Sequence, residues 1–400
     1  MKESYKKLRD IRILLDKQKG AQVSLVIFIL LLVTSCIDPY FIELDSSKTK
    51  YVVYGNLSDQ EGYQNISISI SSSISEPKFK PLSNCSVEIL DSLGNQFVLS
   101  EYKKGEYRVW MSKDDLKVGH SYCTKVITED GVEIRSDFDK LPESPELDSI
   151  YYIREDQPTS DPSNPLEGIQ FYVDLDRGNT DSHYYRWDII ETWEHHAKFP
   201  KTWYWNGKAL IQYSPPDYSK LVCWTTQNVG NIFTLSTRGI DSLRYSRHKL
   251  HFVSNRTQRL TYCYSILVNQ YTMSESVYNY WEKLRINSNE EKGLYETQPL
   301  HIVGNLHCIS NNNIDVLGLF SASSIRTCRY FIQNVPDLEV LYPDCIYYKP
   351  LQDKLNRNTP CYLMLFDGGI IDADLWVLHD DCVLCDTYSG SNIKPDFWPY

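Results

Sequence analysis

The sequence predicts a mainly β protein. A small N-terminal β-sandwich precedes a larger antiparallel β domain with one packed helix at about 274–287. Three observations predict this. Apolar residues alternate with polar ones at period two in short runs, as Ile66, Ile68 and Ile70 do among serines. Turn-forming residues separate those runs. Tyrosine is abundant, 30 of 400 residues, and nine tryptophans accompany it, a composition that favours strands.

The chain opens with Lys2, Lys6, Lys7, Arg9, Arg12, Lys17 and Lys19, followed by the uncharged run VSLVIFILLLVTSC at 23–36. A basic segment before an apolar stretch shorter than the roughly 20 residues of a membrane span describes an export signal. Val33-Thr34-Ser35-Cys36 resembles a bacterial lipobox, which implies cleavage before Cys36 and lipidation of its thiol. An ordinary signal peptide or an uncleaved anchor are the alternatives. Residues 1–35 are thus expected as a lipoprotein signal peptide and 36–49 as a tether. The dispersed acids Asp38, Glu43 and Asp45 resemble the signal that sends Bacteroidota lipoproteins to the outer face of the outer membrane. The periplasmic face is the alternative.

Residues 1–35 hold seven Lys/Arg and three Asp/Glu, so the remaining chain has 34 basic and 49 acidic residues, net −15 against −11 overall. That sign argues against nucleic acid and against electrostatic docking on anionic lipid. Attachment to the membrane would rest on acyl chains.

Residues 50–143 read as the sandwich. Tyr51–Gly55 is β-rich, Cys85, Val87 and Ile89 alternate, and Asp91-Ser92-Leu93-Gly94-Asn95 supplies a turn. Gly105–Val109, Gly119–Tyr122, Thr124–Val126 and Val132–Arg135 complete the set. This order of strands and turns resembles transthyretin-like or carboxypeptidase-regulatory modules, which are structural or adhesive and bring no catalytic residues.

Pro142–Pro145 reads as a hinge, and residues 146–400 as the larger domain with a cysteine-rich end. Gly168–Leu175 and Tyr184–Glu191 alternate again. Trp187, Trp193, Trp203, Tyr204, Trp205, Tyr213, Tyr218 and Trp224 form the most aromatic part of the chain. Such residues either fill a sheet face or offer a binding surface. In the helix, Ser274 is placed to cap, and Val277, Tyr280, Trp281 and Leu284 share one face.

The segments YSILVNQYTMSESVYNYWEKL (264–284), QPLHIVGNL (298–306) and VLGLFSASS (316–324) resemble a Bacteroidota lipoprotein family, domain of unknown function 4249. VVYGNLSD (52–59) and the terminal CVLCDTYSGSNIKPDFW (382–398) fit the same order. The resemblance implies a neighbour, a TonB-dependent outer-membrane transporter, and no assigned activity.

With Cys36 assigned to lipid, ten of the eleven cysteines remain, an even number that reads as disulfides in an exported chain. Cys345, Cys361, Cys382 and Cys385 are the candidates. Cys382-x-x-Cys385 beside His379 could instead hold metal or exchange thiols, but it lacks a second pair and a βαβ context. Cys85 shares a core face with Val87 and Ile89, whereas Tyr122, Thr124 and Val126 turn Cys123 outward, so those two are not expected to pair. His195-His196 and His248-x-x-His251 lack further ligands at readable spacing and read as surface histidines.

No catalytic motif of the serine-elbow, zinc-helix or phosphate-loop type occurs. Three Asp-Ser-aliphatic tripeptides, at 91–93, 148–150 and 241–243, resemble the O-glycosylation signal of Bacteroidota envelope proteins. The expectation is a non-enzymatic cell-surface lipoprotein without cofactor or metal. It would be an accessory or ligand-binding subunit of a TonB-dependent nutrient transporter. A surface hydrolase acting on glycan or peptide, or a structural adhesin, are the alternatives.

Overall fold

In the computed structural model the described residues are 50–399, apart from 73–77, 291–301, 312, 342–344, 349–358 and 367–373. The signal, Cys36 and the tether lie outside them.

The N-terminal strands are β1 (Tyr51–Ser58), β2 (Gly62–Ile70), β3 (Lys80–Pro81), β4 (Ser86–Asp91), β5 (Gln96–Lys103), β6 (Glu106–Met111), β7 (Ser121–Ile127), β8 (Glu133–Ser136) and β9 (Asp139–Lys140), and all but the two-residue β3 and β9 lie where alternation predicts a strand. The turn between β4 and β5 is built by Asp91, whose Oδ1 accepts the Leu93 and Asn95 N–H groups at 2.9 and 2.8 Å. Gly94 sits there at φ +92°, a left-handed conformation that side chains with a Cβ resist. Val53, Ile66, Ile68, Val87, Ile89, Tyr107 and Val126 point inward and fill one core.

The larger part begins with β10 (Ser149–Gln157), β11 (Leu166–Asp176), β12 (Tyr184–His196), β13 (Lys201–Trp205), β14 (Leu210–Asp217), β15 (Val222–Asn228), β16 (Phe233–Ser236), β17 (Arg244–Ser254) and β18 (Tyr264–Thr272). The helix α1 follows at Glu275–Glu290, then β19 (Leu306–Cys308), β20 (Val316–Ile332), β21 (Tyr347–Tyr348), β22 (Cys361–Phe366) and β23 (Asp374–Leu378). The second core lies between β12, β18 and the three-stranded sheet β10-β11-β17, and contains Phe171, Val173, Trp187, Tyr264 and Ile266.

The helix forms as expected. Ser274 Oγ accepts the Val277 N–H at 3.4 Å, and Val277 is buried with Met273 and Leu319, with Tyr280 and Trp281 against them. Arg186 is held between Trp281 of the helix and Tyr271 of β18, 3.9 and 4.5 Å from their ring centroids.

One strand joins the two cores. The first half of β20 runs parallel to β1, from Tyr51↔Val316 to Ser58↔Ser323. Its second half runs antiparallel to β18, from Thr272↔Ser324 to Tyr264↔Ile332. A largest sheet therefore runs β15-β12-β18-β20-β1-β2-β6-β5-β4-β7-β8-β19, and Lys50–Tyr400 form one compact unit. Leu306, Phe320 and Ala322, from the later part of the sequence, pack inside the N-terminal core.

Where β20 changes partners, polar groups converge. Asp139 accepts the Ala322 N–H at 2.7 Å, Asp59 accepts the Ile325 N–H at 2.8 Å, and Arg326 pairs with Asp59 at 2.8 Å. Pro142–Pro145 is not the free hinge its composition suggests. Ser144 is buried and bonded to Thr272 at 2.7 Å, and Ser324 donates to the Pro142 carbonyl at 2.5 Å. A proline-rich linker becomes rigid when tertiary partners satisfy its carbonyls.

Burial pushes the Asp139 carboxyl up from 3.8 to about 6, against the opposing pull of the Ala322 N–H. The folded value lies above the unfolded one. Its contribution to stability is therefore complete below pH ~4 and lost as pH rises through ~6, by about 3 kcal/mol. Comparing denaturant midpoints at pH 5 and pH 7.5, Asp139→Asn is expected to lose less stability over this range than the parent. Equal losses in the two proteins would remove Asp139 from this role.

Candidate functional site

The aromatic stretch divides: Trp187 and Trp193 are buried, Trp203, Tyr204, Trp205, Tyr213 and Trp224 are half-buried, and Tyr218 is exposed. Trp187 is fully buried and donates from Nε1 to Gln270 at 3.2 Å, and Trp193 lies under the Arg259 guanidinium at 4.9 Å. Neither belongs to a surface, so the binding-surface alternative fails for both. Trp203 and Trp205 pack on Cys361, Leu363 and Val377, and Tyr204 packs on Tyr362. Trp224 is half-buried and exchanges two backbone hydrogen bonds with Ser391, 2.8 and 2.9 Å. Sheet partners from the far end of the chain, β22 and the terminal segment, cover these rings.

The cysteines also find partners that spacing could not reveal. Cys345 is bonded to Cys382 and Cys223 to Cys385, with Cα–Cα distances of 5.2 and 5.5 Å. Cys385 thus pairs outside the expected C-terminal set, and Cys361 is in neither bond. The two members of the C-x-x-C sit on successive 3-10 turns, Asp380–Cys382 and Cys385–Tyr388, and each meets a different neighbour. Both sulfurs are therefore committed, leaving no thiolate for metal. Cys85 and Cys123 are unbonded; Cys123, off the core face, is nonetheless buried.

The terminal segment acts as a clasp. Lys220 pairs with Asp386 at 2.6 Å, His195 Nε2 donates to the Cys385 carbonyl at 2.8 Å, and buried Trp398 donates to Glu194 at 3.1 Å. Burial lowers the basicity of His195. His196 bonds Glu194 at 2.7 Å and stacks on Tyr262. His248 lies against Trp187, pushed down to about 4 by desolvation and then by Arg285, while His251 faces Glu191. The two histidine pairs do not converge on a common point.

Glu191 is the most enclosed charge, 1% exposed, with Arg259 at 3.1 Å, the Tyr264 hydroxyl at 3.0 Å, His251 at 3.3 Å and the Gln227 amide also donating. Burial raises its carboxyl, but His251, Arg259 and Gln227 outweigh that and hold it below the usual range. The network ties β12 to β15, β17, β18 and the Gln258–Leu260 turn.

The open aromatic surface is elsewhere, on the outward face of β2, β6 and β5. Tyr63 and Trp110 are cross-strand partners, 52% and 56% exposed, with ring centroids 5.2 Å apart, edge to face. Tyr102 on β5 is 48% exposed. Between Tyr63 and Tyr102 the Arg108 guanidinium lies 4.2 and 4.4 Å from the two ring centroids. Asn65 and Ser100 are its neighbours in register. β5 pairs with β4 through Gln96–Leu99 and with β6 through Ser100–Lys103, so the half of β5 that carries Tyr102 has a strand partner on one side only. Sequence reasoning missed this face, although GEYRVWM alternates Tyr107, Val109 and Met111 inward with Arg108 and Trp110 outward. A tryptophan at an outward position was the readable signal.

Two expectations follow. Replacing Glu191 with Leu leaves Arg259 partly enclosed without its counter-charge, and urea unfolding should show a loss of about 3 kcal/mol or more. Glu191→Leu combined with Arg259→Leu should recover part of it; no recovery would mean that the pair is not coupled. Breaking the Cys223–Cys385 bond, which closes a loop of 162 residues, should cost about 2–5 kcal/mol. Non-reducing peptide mapping should recover both disulfides, and a different pairing would refute the clasp.

No curated protein matches the chain. A family model matches residues 37–329, ending inside β20, so the terminal segment 382–398 lies beyond the match. That match includes the sandwich, both sheets around the second core and the helix, and the chain belongs to the family described as Domain of unknown function (DUF4249).

Proposed function

We propose that the chain is a Bacteroidota outer-membrane lipoprotein. It is anchored through Cys36, faces the cell exterior, and serves as a non-enzymatic ligand-binding or accessory subunit of a TonB-dependent nutrient transporter. The observation that carries the binding role is the exposed Tyr63–Arg108–Tyr102–Trp110 face, where large rings stand in solvent around an arginine. Aromatic residues and arginine are the types enriched where proteins hold partners and ligands.

The anchoring role is supported by the basic segment, the apolar run and the small residue before Cys36. Among the described residues, no helix is long and apolar enough to cross a membrane. Confinement by lipid to two dimensions raises the effective concentration of the protein beside a membrane transporter without a large interface. A net charge of −15 after residue 35 disfavours nonspecific adhesion to an anionic envelope, which leaves lasting contacts to specific recognition.

Crosslinking in intact cells followed by mass spectrometry tests the reading. The full chain should recover an outer-membrane barrel of the TonB-dependent class, and Cys36→Ser should lose both the diacylglycerol-modified N-terminal peptide and the crosslink. A Cys36→Ser protein that keeps the modification, or a parent chain that recovers no transporter, would overturn it.

A further inference from the structure

The C-x-x-C divides its sulfurs between two disulfides, and the four cysteines differ in access. Cys345 is half-buried, whereas Cys382, Cys223 and Cys385 are 0%, 0% and 4% exposed. A thiol arriving from solvent therefore meets Cys345 first, and Cys223–Cys385 offers it no open sulfur. Burial of that kind ordinarily keeps a disulfide beyond the reach of reductants, because exchange needs access to a sulfur.

The two bonds lie in adjoining apolar clusters. Cys382 packs with Val383 and Phe199, and Cys223 and Cys385 pack with Ala197, two residues before Phe199. Both halves of the C-x-x-C are tied to the backbone beside them. The Phe199 N–H donates to the Cys382 carbonyl at 2.9 Å, and the Cys385 N–H donates to the Lys220 carbonyl at 3.0 Å. Only Val383 and Leu384 separate Cys382 from Cys385, the spacing that cycles between dithiol and disulfide in thiol oxidoreductases.

We infer that this C-x-x-C is a thiol–disulfide exchange relay, through which an external thiol that opens Cys345–Cys382 also opens the enclosed Cys223–Cys385. The external thiolate attacks Cys345 Sγ, forms a mixed disulfide there and expels Cys382 as a thiolate. Cys382 then attacks Cys385 Sγ. The Cys382–Cys385 bond forms, the bond to Cys223 breaks, and Cys223 leaves with the electron pair and takes up a proton. A second external thiol cleaves the mixed disulfide and frees Cys345. Two external thiols are thereby oxidised to one disulfide, and two protein disulfides become one disulfide and two thiols.

The product releases the covalent hold of the terminal segment on β15. The clasp then rests on Lys220–Asp386, the Trp224–Ser391 backbone pair and Trp398–Glu194. β15 ends the largest sheet, so loosening Ser391 from Trp224 opens a sheet edge.

The test treats the full chain in detergent with 2-mercaptoethanol in rising amounts, then alkylates thiols under denaturing conditions and maps the peptides. At the lowest amount that opens Cys345–Cys382, the relay leaves Cys345 and Cys223 modified and Cys382 joined to Cys385. Cys345 and Cys382 modified, with Cys223 still joined to Cys385, would overturn the inference. Cys345→Ser, which leaves Cys382 a thiol from the start, should form the Cys382–Cys385 bond with no thiol added. Cys382→Ser, which removes the relaying sulfur, should keep Cys223–Cys385 intact at an amount that rearranges the parent completely. Loss of that bond at equal amounts in the two proteins would refute the relay. Amide exchange at Trp224 and Ser391 should quicken roughly 10-fold or more in the rearranged parent, and unchanged exchange would refute the release of the clasp. The parent map needs neither variant, so a variant that fails to fold leaves the test intact.

Discussion

The pairing of β20 with two different neighbours, parallel to β1 and then antiparallel to β18, is the contact on which the rest of the structure depends. A parallel pair needs a long crossover, and here the crossover is most of the chain. Without it, Val53 and Leu57 would lose Phe320 and Ala322 from their core, and β18 would keep β12 on one side and expose a sheet edge on the other. The strand has to serve two faces of opposite demand. Its serines lie around the change of partner, where Ser321 donates to Asn56, Ser324 to Pro142, and Asp139 and Asp59 receive its N–H groups. Hydroxyls that bond locally suit a strand whose ladder changes partner.

Buried charge is handled in two ways around this strand. Glu191 is surrounded by donors from β15, β17, β18 and the Gln258–Leu260 turn, so enclosure does not neutralise it. Asp139 meets only uncharged donors, the Ala322 N–H at 2.7 Å with the Ser274 side chain and the Lys140 backbone, so burial prevails and its proton is held more tightly. The difference is a charged partner, since Arg259 faces Glu191 and no cation is bonded to Asp139. The C-terminal clasp ties the same sheet covalently through Cys223, beside Trp224 on β15, and by a hydrogen bond from Trp398 to Glu194 of β12.

These constraints hold the exposed Tyr63–Arg108–Tyr102–Trp110 face in place on the sandwich. Tyr107, Val109 and Met111 anchor β6 from within, β2 flanks it through Met111 and β5 flanks it through Arg108, so Arg108 projects from a backbone held on both sides. Stacking on two rings further limits the rotamers of Arg108, which lowers the ordering cost of recruiting it to a ligand. A long cationic side chain on a loop would lack both advantages.

The mainly β class, the turn at Asp91–Asn95, the inward set Ile66, Ile68, Val87 and Ile89, and the helix with its Ser274 cap were determined by the sequence itself. Each follows from residues within a few positions of one another, where period and turn chemistry act directly. The family was legible for the same reason, since its segments occur in order through residues 37–329. The tertiary structure alone decided that Trp187 and Trp193 are core, that Cys385 bonds Cys223, that Pro142–Pro145 is pinned, and that Arg108 lies between Tyr63 and Tyr102. All of these depend on which strands become neighbours and in what register. In a β protein that choice is made between residues far apart in the chain, and local pattern carries no record of it.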